Sequence, residues 1–287
     1  IFNTNNIFSD TPLEENIIKN SDKLDLAPHG HIEEWLNMYN EYVLGNKYLE
    51  LAVVFGLSAP IINYLSEMYP DLTNILIHIS GDSTAGKSTA SMLAVSTAGN
   101  PNQLSDRSLM RKWSGTENSI TALLENISGI PIVFDELSSF KGENLTSLTY
   151  TLTDGVGKAR AKIDGSLNEP KRWNTVILSN GEASILTKSN NNTGIKARVF
   201  EFSNITWTNS AEQSENIKEV CCNSYGHILP LFRKNLFSYG TNKIIEVFEE
   251  EKKSLKDKFP NSRLKDRIVT KLAVFTTTAR LLKETIT

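Results

Sequence analysis

Residues Gly81-Asp82-Ser83-Thr84-Ala85-Gly86-Lys87-Ser88 satisfy the pattern G-x-x-x-x-G-K-[ST] at every defined position. No other feature of the chain restricts its fold so tightly. The pattern needs an apolar strand, a tight glycine-bearing turn whose N–H groups face inward, and a helix whose N-terminus meets the same anion. The flanks comply: Asn74 to Ser80 is a short β-branched run, and Ser88 to Ala98 has helix-forming composition. The pattern assigns Lys87 to the β- and γ-phosphates of ATP and Ser88 to Mg2+. Gly81, Ser83, Thr84, Ala85, Gly86 and Thr89 complete the cradle, and the bland alternative is a glycine loop without a ligand.

The strand theme recurs. Ile130 to Phe134 and Thr175 to Leu178 are compact apolar runs, with a helical stretch over Thr116 to Asn126 between the first strand and the second. Such alternation predicts an α/β fold with a parallel sheet covered on both faces. Before it, apolar residues from Trp35 to Val43 and from Lys47 to Leu65 repeat at helical spacing, behind a polar arm over residues 1–28. After Phe202 only helical patterns remain, over Glu212 to Leu236, Asn242 to Lys256 and Ser262 to Lys283. The expected division is therefore an arm and helical lead-in over 1–65, a nucleotide-binding core over 66–205, and a helical lid over 206–287.

Three polar strand ends carry chemistry. Asp135-Glu136 follows the second apolar strand, forty-eight positions beyond Lys87; in a phosphate-loop enzyme the first acid holds magnesium through water and the second deprotonates the attacking water. Charged residues also end many strands for no catalytic reason. Asn180 ends the third strand, where its amide either holds the same water or merely caps a turn before Gly181. Arg198 enters the apolar run Val199-Phe200, either as a finger for a neighbouring subunit's γ-phosphate or as half of a structural salt bridge.

Between the second and third strands, Lys158, Arg160 and Lys162 alternate ahead of Asp164-Gly165, a two-residue hairpin signal, with Lys171 and Arg172 on the return. Residues 158–172 hold five basic and two acidic side chains. A positive finger of this kind suits a DNA backbone read without sequence preference, and the alternative is an edge hairpin kept soluble by its lysines. Of Arg263 and Arg267 on the last helical pattern, Arg267 is the preferred contact to ATP from a lid. Arg107, Arg111, Lys112 and Trp113 form a second basic-aromatic cluster that either meets nucleic acid or packs a loop.

Composition excludes more than it assigns. With 39% hydrophobic and 22% charged residues the chain has the make-up of a soluble globular protein. The apolar stretch Leu49 to Ile62 is interrupted and too short to span a bilayer, so neither a membrane partner nor a non-cytoplasmic location is expected. Cys221 and Cys222 are sequence neighbours, a poor geometry for a structural bridge and in keeping with the cytoplasm. The four histidines lack ligand spacing. A net charge of −3 means that DNA contact must come from a local patch. Both termini read as those of an excised fragment.

Together, Gly-Asp-Ser-Thr-Ala-Gly-Lys-Ser-Thr (81–89), Val-Phe-Asp-Glu-Leu (133–137), Thr-Asp-Gly-Val-Gly-Lys-Ala-Arg (153–160) and Val-Ile-Leu-Ser-Asn-Gly-Glu (176–182) resemble a helicase-associated ATPase family of phages and staphylococcal cassette chromosome elements. Its members are similar to minichromosome-maintenance replicative helicases, and the resemblance covers about Leu49 to Phe202. It implies an AAA+ fold, a homo-hexameric ring and ATP-driven translocation on single-stranded or forked DNA. It also implies that Lys87 and Ser88 are the phosphate-loop residues, Asp135 and Glu136 the magnesium and water residues, and Asn180 the sensor. Lys158 to Arg172 becomes the DNA-contacting hairpin and Arg198 the finger acting on the next subunit. Two other readings stay open: a nucleotide-gated DNA-binding initiator that does not unwind, and a small-molecule phosphoryl transferase.

Overall fold

The computed structural model describes residues 23–142, 144–158, 169–189 and 193–286. Residues 1–22 of the expected polar arm, and Arg160 and Lys162 of the expected hairpin, lie outside them.

Five strands form one all-parallel sheet: β1 (Ile75–Ser80), β2 (Met110–Lys112), β3 (Ile132–Asp135), β4 (Val176–Gly181) and β5 (Val199–Ser203), in the order β2-β3-β4-β1-β5. β1 and β4 are buried along their whole length. Sequence explains this, because a strand buried on both faces reads as a continuous apolar run rather than an alternating one. Parallel pairing aligns all the strand ends, so Ser80 lies opposite Gly181 and Ile79 opposite Asn180.

Helices flank the sheet. The lead-in supplies α1 (Ile32–Met38), which continues as a π-helical turn over Tyr39–Val43, and α2 (Lys47–Ser66). Asn46 caps α2 by accepting from the N–H groups of Tyr48 and Leu49. α2 is packed against α3 (Lys87–Ser96), the helix that follows the phosphate loop. Gly56 makes that approach possible, since a Cβ there would stand 2.1 Å from the Ala94 carbonyl oxygen. By length and composition α2 would cross a membrane, yet 72% of that apolar window is buried inside the molecule, as in the core helix of a globular domain.

α4 (Glu117–Leu124), α5 (Leu145–Asp154), and the short α6 (Ile185–Lys188) and α7 (Thr193–Lys196) connect the strands. α8 (Ala211–Asn223), α9 (Ile228–Lys258) and α10 (Lys265–Ile286) follow β5. α10 packs along α9 and onto α2, and α8 packs on α3. Buried side chains from Leu24 to Leu282 join one continuous hydrophobic core drawn from all three expected segments.

Two boundaries differ from the sequence pattern. The expected helix over Glu212 to Leu236 is interrupted because Tyr225 exchanges both backbone hydrogen bonds with His29, and Gly226, at φ +79°, donates to the Ser96 carbonyl. The expected gap before Asn242 is instead a kink at Gly240 (φ 72°, ψ 161°) within α9. β2 and α5 carry no sequence signal strong enough to announce them, the first being three residues long and the second threonine-rich.

Candidate functional site

The loop after β1 turns through three positive-φ residues, Gly81, Thr84 and Gly86, and delivers the chain into α3 at Lys87. Gly86 has a second reason to be glycine: a Cβ there would stand 2.5 Å from the Thr208 hydroxyl. A β-branched residue at φ +70°, as at Thr84, is strained. Glu136 is the other strained residue, at φ 62°, whereas the remaining positive-φ non-glycines among the described residues are asparagines, which tolerate that region. Both strained positions therefore line one cleft, as strain does at functional sites.

The cleft has a volume of about 590 Å³, and Lys87, Ser88, Thr89, Glu136 and Asn180 face into it. Lys87 is 9% exposed and donates to the carbonyls of Gly81 at 2.8 Å and Asp82 at 2.5 Å, which pins the ammonium inside the loop. The Ser88 hydroxyl donates to Asp135 Oδ1 at 3.2 Å, and Gln103 Nε2 donates to the other carboxylate oxygen at 2.7 Å. The Glu136 amide donates to Asn180 Oδ1 at 3.0 Å, and Asn180 Nδ2 donates to the Ser91 hydroxyl on α3 at 3.1 Å. Asn180 thus ties the acid strand to the phosphate-loop helix. The Glu136 carboxylate accepts from the Ser138 amide at 3.2 Å and the Ser138 hydroxyl at 2.5 Å.

A buried network supports this layer from beneath. His78 Nε2 is 3.0 Å from the Ala183 carbonyl, which only accepts, so that nitrogen carries the proton. Nδ1 then accepts from the Ser179 hydroxyl at 2.8 Å, and Ser179 in turn accepts from the Trp113 indole at 3.0 Å. Burial holds the His78 imidazole below the ordinary histidine range, so it stays neutral. Trp113 is fully buried against Phe134 and Phe140, and the Arg111 guanidinium bonds to the Ser105 and Asp106 carbonyls. Of the basic-aromatic cluster, Trp113 therefore packs a loop against the core.

Three parts of the cleft escaped sequence reasoning. Gln103 shares Asp135, Glu182 accepts from the Ser83 hydroxyl at 2.6 Å, and the segment from Thr206 to Lys218 forms the facing wall. That wall is anchored by the Trp207 amide donating to the Ala85 carbonyl at 2.8 Å and by Thr89 and Ser214 hydroxyls 2.6 Å apart. A signal for it existed in Ser210-Ala211-Glu212-Gln213, where Ser210 accepts from the Gln213 amide and Gln213 reaches back to the Asn209 amide at 2.6 Å. Such reciprocal capping marks a helix start.

Arg267, expected to reach ATP from a lid, does not line this cleft. α10 lies along α9 and α2, and Arg267 instead shares a separate pocket of about 420 Å³ with Arg198 and Lys271. Thr73 and Arg198 in that pocket stand two residues before β1 and one before β5, at the end of the sheet remote from the phosphate loop. The two sites are about 20 Å apart, the rise of a six-residue strand. Arg198 itself donates from Nε to Asp154 at 3.4 Å and from Nη1 to the Gly194 carbonyl at 3.2 Å, and it stacks over Tyr150.

The base of the basic hairpin is formed: Val156 bridges Arg172, and the Gly157 amide donates to the Lys171 carbonyl at 2.8 Å. Its lysines are paired, Lys158 with Glu117 at 2.8 Å and Lys171 with Glu125 at 3.6 Å, while Arg172 is exposed. No cluster of potential metal-ligating side chains occurs among the described residues.

Residues 2–172 match the family described as "Domain of unknown function (DUF927)". No curated protein matches the chain. Among solved structures, the active helicase Cch of SCCmec type IV superimposes with a TM-score of 0.84 at 36% identity, covering 93% of this chain and 49% of that one. The chain thus spans about half the length of that helicase.

Proposed function

The chain belongs to the DUF927 family, and from that footing we propose that it is the ATP-hydrolysing motor of a DNA helicase. The observation that carries the proposal is the bonded circuit around one cleft. Lys87 and Ser88 come from the phosphate loop, Asp135 and Glu136 from β3, and Asn180 from the strand interposed between them. Each group meets the chemistry its position demands: N–H groups and an ammonium for phosphate oxygens, and oxygen donors for a hard cation.

In this reading Lys87 leaves the Gly81 and Asp82 carbonyls for the β- and γ-phosphates. Ser88 and Asp135, bonded to each other in the cleft, would hold Mg2+, and that ion would supply neutralisation of charge on those phosphates. Glu136 accepts a proton from the attacking water, and Asn180 fixes the backbone from which Glu136 projects. Arg198 is too far from its own chain's phosphate loop to serve it, so its role is on the site of a neighbouring copy, which favours a homo-oligomer such as the AAA+ hexamer. Wall residues Thr206 to Lys218, rather than α10, act as the lid over the chain's own nucleotide. Lys158, Lys171 and Arg172 beside the Val156–Arg172 bridge, with Arg160 and Lys162 outside the described residues, are the side chains assigned to DNA. Likeness to an active helicase at 36% identity supports a DNA substrate over a small-molecule acceptor.

Glu136→Gln is expected to lower DNA-stimulated ATP turnover by roughly 10²–10⁴-fold, the usual contribution of a general base, while nucleotide binding persists. Turnover at the wild-type rate would remove Glu136 from the mechanism. Turnover that DNA stimulates without any strand displacement by the intact protein would favour the initiator reading.

A further inference from the structure

Between α3 and β2 the chain leaves the sheet and returns to it. The Asn100 carbonyl accepts from the Leu109 amide at 2.8 Å and from the Ser108 hydroxyl at 3.2 Å, which closes a neck below residues 101–107. None of residues 102–107 is buried, and Leu104 at the tip is 93% exposed. Burial of apolar surface therefore does not account for this excursion.

Hydrogen bonds nonetheless hold it in one shape. Asn100 Oδ1 accepts from the Asn102 amide at 2.8 Å, Asn102 Oδ1 from the Leu104 amide at 3.0 Å, and the Asn102 carbonyl from the Ser105 amide at 3.0 Å. From β2, the Arg111 guanidinium bonds to the Ser105 and Asp106 carbonyls. Arg111 is paired with Phe134, the residue before Asp135, so the loop is braced on the strand beside the one that ends in the acid. What the loop delivers there is Gln103 Nε2, 2.7 Å from Asp135 Oδ2.

The Ser88 hydroxyl donates to the other oxygen, Oδ1, at 3.2 Å. A side-chain amide suits the Oδ2 position, because it donates to a carboxylate without cancelling its charge. A lysine or arginine in its place would pair with the acid as an ion and compete with a divalent cation. A carboxylate that ligates a metal is itself held by hydrogen bonds, and those partners matter nearly as much as the ligand. We propose that Gln103 is a positioning residue for the cation site: by holding Oδ2 it keeps Oδ1 of Asp135 presented to Ser88 and to the Mg2+ the two would share. The proposal rests on the motor reading, in which Ser88 and Asp135 serve that cation. Gln103 does not itself line the cleft and acts through Asp135.

The test follows binding of a non-hydrolysable ATP analogue to the intact protein by calorimetry across a range of free Mg2+, and once in EDTA. In Gln103→Leu, similar in size but without the donor, the free Mg2+ needed for half-maximal binding should rise about 10–100-fold. Affinity in EDTA should be unchanged, and turnover should recover at saturating Mg2+, so that KM for the metal moves and kcat does not. Leu104→Ala, which alters the neighbouring side chain alone, should change none of these. Gln103→Asn keeps an amide but falls one methylene short, so it should raise the Mg2+ requirement as leucine does, and it serves where the leucine variant does not fold. Wild-type Mg2+ dependence in either Gln103 variant overturns the proposal. So does an equal loss of affinity in EDTA, which would mark the loop as a general support of the cleft. Asp135→Asn separates this from the motor reading: unchanged Mg2+ dependence there removes Asp135 from the cation site and sinks that reading. A shift in Asp135→Asn beside none in Gln103→Leu rejects the role of Gln103 alone.

Discussion

The phosphate cleft and the basic pocket sit at opposite ends of the same parallel sheet and are finished to different degrees. In the cleft every charged group named has a partner from its own chain: Lys87 has loop carbonyls, Asp135 has Ser88 and Gln103, and Glu136 has Ser138. In the pocket Lys271 is attracted by Asp154 and Asp71 and repelled by Arg198 and Arg267, and Arg267 is exposed. In the motor reading, a cleft bonded in this way needs little rearrangement to receive a nucleotide, which is how electrostatic catalysis avoids reorganisation at the moment of reaction. The pocket mixes four basic side chains, Arg198, Lys252, Arg267 and Lys271, with three acidic ones, Asp71, Asp154 and Asp266, and Arg198 is bonded to Asp154. In the motor reading proposed above, the cleft is one half of a shared site and Arg198 in the pocket serves the cleft of a neighbouring copy.

The largest expected break in that comparison is kinetic. Arg198→Ala should reduce turnover by roughly 10³-fold or more, as loss of an arginine finger does, with ATP affinity unaltered, whereas Lys87→Ala should lose ATP affinity as well. Nucleotide titration followed by steady-state turnover separates the two; equal loss of affinity in both variants would mean that Arg198 belongs to its own chain's cleft.

The next effect is thermodynamic. Because Lys271 is held below its unfolded value, the unfolded chain binds the extra proton between about pH 8 and 10.5, and its contribution to stability rises with pH across that window. The size is about 3 kcal/mol, from a shift of two to three units. Burial pushes Cys221, Tyr69 and Tyr225 up to about 12, which acts in the opposite sense. The measurement is thus the difference between wild type and Lys271→Met in denaturant midpoints from pH 7.5 to 10. A difference independent of pH would mean that the lysine is charged and satisfied already.

The hairpin base offers the smallest effect and a third term for the comparison. Lys158 and Lys171 resemble the cleft's Lys87 in being paired, here with Glu117 and Glu125 on or beside α4. Exposed pairs of this sort are worth at most about 1 kcal/mol, so DNA phosphates should displace the glutamates readily. Replacing both lysines with alanine is expected to reduce the salt slope of DNA binding by somewhat under two with little change in stability. An unchanged slope would leave the hairpin base out of the DNA contact.

How much of this was legible in sequence follows from how local each feature is. The phosphate loop is written in eight consecutive residues, and Asp135, Glu136 and Asn180 stand at strand ends that apolar runs announce. Sheet order is less local, yet the strand that ends in Asn180 had to lie beside the other two for its amide to reach both Glu136 and Ser91. β2 was illegible because Met110, Arg111 and Lys112 are too few and too charged to read as a strand. Its strand character comes from pairing with β3. Arg267 was misplaced for a related reason: an amphipathic pattern gives the face a helix buries but not the neighbour it buries against. Packing of α10 on α9 and α2 carries Arg267 away from its own nucleotide cleft.

The parallel sheet has one more consequence, which concerns dose. If the pocket's Arg198 serves a neighbour's cleft, as proposed, the contact is head-to-tail and heterologous, the kind that yields closed rings or open rows. An open row of n copies contains n−1 shared sites and leaves one cleft and one pocket idle at its tips, while a closed ring wastes neither. Specific activity should accordingly climb with protein concentration and level off when the rows close upon themselves, so that the enzyme's rate per chain becomes a gauge of its own assembly.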